Sequence, residues 1–136
     1  MFSHITIGVA DLDRAIGFYD ALLAPLGLAR QETDLSHGLA GYAPGPDLAP
    51  SSLWLMRPID GRPATAGNGT TVAFDAPDRA AVRRWHAGGL AAGARDEGGP
   101  GLRPHYHPHF YGAYLRDADG HKLCCVCHRA EHEGTG

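Results

Sequence analysis

Over residues 3–9 (SHITIGV) apolar and polar positions alternate with a period of two, which places His4, Thr6 and Gly8 on one face of a strand. From Asp11 the period changes. Ile16, Tyr19, Leu22, Leu23 and Leu26 recur at helical spacing, Asp11 is a residue that caps helix starts, and Asp13 puts negative charge in the first turn. With Gly27 as the stop, the pattern predicts an amphipathic helix of about four turns. LARQETD and HGLAGYA read as two modest strands of a hairpin, PGPDLAPSS as a loop, and SLWLMRP as a strand that ends before Pro58.

The second half repeats this order. GTTVAFDA is a β run, and Asp78 caps a helix whose buried stripe is read as Val82, Trp85 and Leu90, with Gly93 as the stop. Gly88 and Gly89 weaken that helix by about 1 kcal/mol each relative to Ala. ARDEGG is a short polar strand, and FYGAYLRDADGHKLCCVCH predicts a hairpin turning at DADG. RAEHEGTG reads as a frayed tail. The loop IDGRPATAGNG separates the halves. The chain is therefore read as a single domain, 1–136, with module 1 over about 1–60, module 2 over about 68–129 and a tail at 130–136.

A chain of 136 residues can bury a core without staples, and 43% hydrophobic with 20% charged residues is a globular composition. The net charge of −3, without a basic run, argues against nucleic acid and anionic membrane as partners. No signal-peptide pattern opens the chain, and no apolar stretch reaches the roughly 18 to 20 residues of a membrane span. The cysteines, Cys124, Cys125 and Cys127, are odd in number and clustered, a poor disulfide framework. Reduced thiols in a cytoplasmic protein are the expectation.

Four stretches in this order resemble the vicinal-oxygen-chelate superfamily, which includes glyoxalases, bleomycin resistance proteins and extradiol dioxygenases. They are HITIGVADLDRAIGFYDALLAPLGL, GNGTTVAFDAPDRAAV, RPHYHPHFYGAYLRDADG and HKLCCVCH. Within it the chain looks most like the bacterial lactoylglutathione lyase-like proteins. The resemblance implies an α+β fold of two βαβββ modules forming a partly open mixed barrel around a cleft, a homodimer, and for many members one divalent metal. Ligands in the family come from the first strand of each module and from the last strand, in some members also from the fourth.

His4 matches the first-strand ligand. Thr71 stands where relatives carry histidine, Cys124 where they carry glutamate, and Trp54 occupies the fourth-strand position. Two His and one carboxylate make an open site for Fe(II) and related chemistry, whereas imidazole with thiolate favours zinc. His4 and Cys124, with Thr71 in the third slot, are therefore the candidate metal residues. Zinc would come through Cys124, and a metal-free cleft is the other reading, favoured by the two substitutions.

His105 and Tyr114 precede Cys124 at a spacing similar to the His and Tyr that flank catechol in extradiol dioxygenases, and they are the catalytic candidates. Trp54, Phe74, Arg103 and Tyr114 are the substrate-binding candidates. Arg103 and Arg116 could clamp an anion. If the RPHYHPHF segment is extended, His105, His107 and His109 share one face; otherwise it is a loop at the cleft rim. By alternation with Cys124, Cys125 and Cys127 face away from the cleft. Three functions stay open: a metalloenzyme with an altered metal sphere (lyase, isomerase or dioxygenase), a metal-free small-molecule binding protein, and a metal-independent acid–base enzyme.

Overall fold

The computed structural model describes residues 1–131; of the expected tail, 132–136 lie outside the described residues. Module 1 runs β1 (His4–Gly8), α1 (Leu12–Leu23), β2 (Ala29–Asp34), β3 (Leu39–Ala43) and β4 (Ser52–Met56). Module 2 repeats it as β5 (Thr71–Asp75), α2 (Arg79–Ala91), β6 (Arg95–Leu102), β7 (Tyr111–Arg116) and β8 (Lys122–Cys127). The sheets are ordered β1-β4-β3-β2 and β5-β8-β7-β6. In each, the first strand pairs in parallel with the last and the remaining pairs are antiparallel. This is the expected α+β fold of two βαβββ modules.

Local chemistry accounts for the helix ends. The Asp11 carboxylate accepts from the Arg14 N–H, and Asp78 does the same for Ala81, satisfying donors that a helix start leaves open. Helix α1 is shorter than the four turns expected. Pro25 forces the chain into a 3-10 turn, Ala24–Leu26, before Gly27 closes it at φ 73°. The buried stripe of α2 also differs. Leu90 is 41% exposed, while His86 and Gly89 are buried beside Val82 and Trp85.

That difference has a packing cause. A Cβ at Gly89 would lie 2.3 Å from Leu115 Cδ1 and 2.9 Å from Leu22 Cδ1, so the missing side chain lets α2 close onto β7 and α1. One hydrophobic cluster spans both modules, from Ile7, Leu22 and Leu55 to Val82, Trp85, Leu115 and Leu123. The turn between β7 and β8 completes the junction. The Tyr19 hydroxyl donates to Asp117 Oδ2 at 2.6 Å, the Ala10 N–H to Asp119 Oδ1 at 3.0 Å, and His121 Nε2 to the Gly8 carbonyl at 2.7 Å.

Because the helices cover one face of each sheet, side chains alternate between core and open face. On β8, Leu123, Cys125 and Cys127 point into the core, as expected for the two cysteines, whereas Lys122, Cys124 and Val126 belong to the open face. No helix among the described residues is long and apolar enough to cross a membrane.

Candidate functional site

The open face of the second sheet forms a concave pocket of about 580 Å³. Its floor comes from Thr71 and Ala73 of β5, Lys122, Cys124 and Val126 of β8, and Tyr114 of β7. Register explains the grouping: Thr71 is paired with Lys122, Ala73 with Cys124, and Tyr114 with Cys124 from the other side. The segment after β6 supplies the rim through Arg103, His105, Tyr106 and Phe110.

That rim is not extended. Tyr106 N–H donates to the Arg103 carbonyl and Phe110 N–H to the His107 carbonyl, so two successive turns carry RPHYHPHF and the loop reading holds. The three histidines consequently separate. His105 lines the pocket, His107 bonds His128 at 2.8 Å, and His107 Nδ1 accepts the His109 N–H. The His107–His128 bond and the contact of Phe110 with both rings tie the loop to the end of β8.

The pocket collects Thr71, Arg103, His105, Tyr114 and Cys124 from the sequence candidates. The others lie elsewhere. His4 and Trp54 stand on the first sheet: His4 Nδ1 is bonded to the Ser3 hydroxyl at 2.9 Å, and Trp54 Nε1 donates to Ser52 Oγ at 3.0 Å. Trp54 lies flat over Gly41, where a Cβ would come within 2.7 Å of its ring. Phe74 turns toward the helices and packs on Trp85 with ring centroids 6.4 Å apart. It lines a separate groove with Ile5, Leu26 and Leu53.

Electrostatics on the pocket floor centre on Tyr114. The Arg103 guanidinium lies 5.6 Å from its ring centroid and the Lys122 ammonium 5.2 Å. Burial, followed by the neighbouring Cys124, pushes the Tyr114 hydroxyl up to about 12, so it stays a hydrogen-bond donor at neutral pH. Burial also raises the Cys124 thiol, against the opposing pull of the Tyr114 hydroxyl, Arg103 and Lys122.

Among solved structures, a glyoxalase/bleomycin resistance protein from Albidiferax ferrireducens T118 is 38% identical to this chain, with a TM-score of 0.82. The match covers 96% of this chain and 99% of that one. The chain belongs to the glyoxalase/bleomycin resistance/dioxygenase superfamily. The fold alone is shared with a lactoylglutathione lyase from Agrobacterium tumefaciens, 23% identical, TM-score 0.64, over 93% of this chain and 92% of that one. No family model and no curated protein matches the chain.

The metal positions of the superfamily can be tested against the residues present. The two sheets place them in matching register. His4 is paired with Ser52, two residues before Trp54, just as Thr71 is paired with Lys122, two residues before Cys124. The four positions thus hold an imidazole, an indole, an alcohol and a thiol, where the family's site calls for histidines and a carboxylate. Among the described residues no three His, Cys, Asp or Glu side chains gather into a metal-holding group. The donor set does not fit the family's metal.

Sequence reasoning missed Lys122, Tyr106 and Phe110, all of which line the pocket. Lys122 had a signal: it lies two residues before Cys124 on one strand and so shares its face. The aromatic rim had none, because its placement depends on the turns at 103–110.

Proposed function

We propose that this chain is a metal-free small-molecule binding member of the superfamily, with the open face of the second sheet as its ligand site. The observation that carries this is the pocket itself: an aromatic rim over a floor that holds Thr71 and Cys124 where the family resemblance puts histidine and glutamate ligands. Tyr114 and Thr71 supply hydrogen bonds that orient a ligand, and Tyr106 and Phe110 supply apolar contact. We place the chain in the lactoylglutathione lyase-like branch on the strength of the stretches quoted above, for its scaffold and not for metal chemistry.

The test is metal retention by untagged protein dialysed against chelator and refilled with Zn, Mn, Ni or Fe(II). The wild type is expected to retain none at stoichiometric level. The double variant Thr71→His, Cys124→Glu, which puts the family's ligand types back at the two substituted positions, is expected to hold near one ion per chain. Stoichiometric metal in the wild type that vanishes in His4→Ala would sink this reading in favour of a metal-dependent lyase, isomerase or dioxygenase.

The partner assignment goes with it. His4, Thr6 and Trp54 form an open face on the first sheet, while no module 1 residue lines the pocket of the second. We propose a homodimer in which these faces cover one another, bringing the partner's first sheet over the ligand, with no role for nucleic acid or membrane. Light scattering at micromolar concentration is expected to give twice the chain mass, and a monomer mass throughout would refute the dimer.

A further inference from the structure

The geometry points to the charge of the ligand: the pocket is built for a planar organic anion, an aromatic or conjugated carboxylate, whose carboxylate is received by Lys122. This rests on the binding-pocket reading above. Of the twelve basic side chains, eleven are arginine, and Lys122 is the sole lysine of the chain. It stands inside the pocket, half-buried, on a strand whose next open-face residue is Cys124.

The surrounding charges leave Lys122 without a counterion. Glu97, the one carboxylate lining the pocket, is taken by Arg116 Nε at 2.7 Å and approached by Arg95 Nε at 3.8 Å. Arg116 spends its Nη1 on the Gly120 carbonyl, so the clamp expected from that residue is occupied. Arg103 is anchored too, Nη1 to the Gly101 carbonyl at 2.8 Å and Nη2 to the Gly99 carbonyl at 2.9 Å. Those bonds fix the guanidinium in place, and three of its five N–H donors remain for another acceptor. Among the described residues Lys122 makes no ion pair and no side-chain hydrogen bond, its contact being the face of Tyr114.

Two cations therefore flank one phenol ring in a molecule of net charge −3. An anion received by Lys122 offsets this local positive charge and gains charge-assisted hydrogen bonds in a pocket partly shielded from water. The Tyr114 hydroxyl and Thr71 add donors for the same group. Tyr106 and Phe110, with ring centroids 4.8 Å apart, offer aromatic surface for the planar body of the ligand.

The experiment is calorimetric titration of the intact protein with 2-naphthoate and with the neutral, isosteric 2-naphthamide. The carboxylate is expected to bind at least about tenfold tighter than the amide, and Lys122→Met to remove about that factor for the carboxylate alone, with Lys122→Arg restoring part of it. Should Lys122→Met fold poorly, acetylation of the sole lysine in the wild type reads the same contact: 2-naphthoate is expected to protect Lys122 and 2-naphthamide not. Equal binding of the two compounds, or a naphthoate affinity indifferent to Lys122, would overturn the anion assignment and leave the pocket reading standing. Binding of neither compound would overturn both.

Discussion

Asp117→Ala is expected to lower the free energy of unfolding by about 3–5 kcal/mol, measured by urea denaturation. Asp117 is 9% exposed and accepts three hydrogen bonds: the Tyr19 hydroxyl on Oδ2, and the N–H groups of Asp119 and His121 on Oδ1. Alanine strands all three donors at the junction of the two modules. Each unsatisfied buried group costs about 1–3 kcal/mol, and the three act as one network, so the sum falls short of full additivity. Asp117→Asn retains acceptor oxygen and is expected to cost about 1–2 kcal/mol. A loss below about 1 kcal/mol for Asp117→Ala would mean that apolar contact between α1 and α2 holds the modules without this turn.

The same bond sets a pH dependence. Burial first, then the negative Asp117, raises the Tyr19 hydroxyl well above its ordinary value. An unfolded tyrosine loses its proton near pH 10, so stability from this group is complete below that pH and falls as pH rises above it. Tyr19→Phe is expected to start less stable at neutral pH and to show a shallower alkaline decline. An unchanged alkaline slope would remove Tyr19 from the explanation.

Trp85→Ala is expected to cost about 3–5 kcal/mol. The side chain is fully buried at the centre of α2, against Phe74 of β5 and within the cluster that joins the modules. Its indole Nε1 is buried and finds no acceptor among the described residues. Trp85→Phe keeps most of the ring and removes that unpaired donor, so it is expected to cost under about 1.5 kcal/mol. A phenylalanine as damaging as alanine would show that the indole N–H has a partner in solution, a bound water being the simplest.

The strands, both helices and their order were legible because each rests on local rules. Period-two alternation identified β1, a β run marked β5, the DADG turn marked the hairpin of β7 and β8, and aspartate caps at Asp11 and Asp78 marked the helix starts. Two local errors have local and tertiary causes respectively. Pro25 shortened α1, and the close approach of Leu22 and Leu115 to Gly89 turned α2 so that Leu90 faces solvent. In the candidate site, alternation on β8 correctly set Cys124 apart from Cys125 and Cys127.

What the sequence determined by itself is the pair of βαβββ modules and the side-chain types at positions 4, 54, 71 and 124, since side-chain type and strand period are properties of the chain. Only the tertiary structure decided which candidates meet. Thr71, Tyr114 and Cys124 come together because parallel and antiparallel pairing fixes the register of β5, β8 and β7, whereas His4 and Trp54 belong to a different sheet. It also decided which cation is free. Arg103 and Arg116 are bound to carbonyls and to Glu97, contacts that no spacing encodes, and Lys122 is left facing the pocket with its charge unpaired among the described residues.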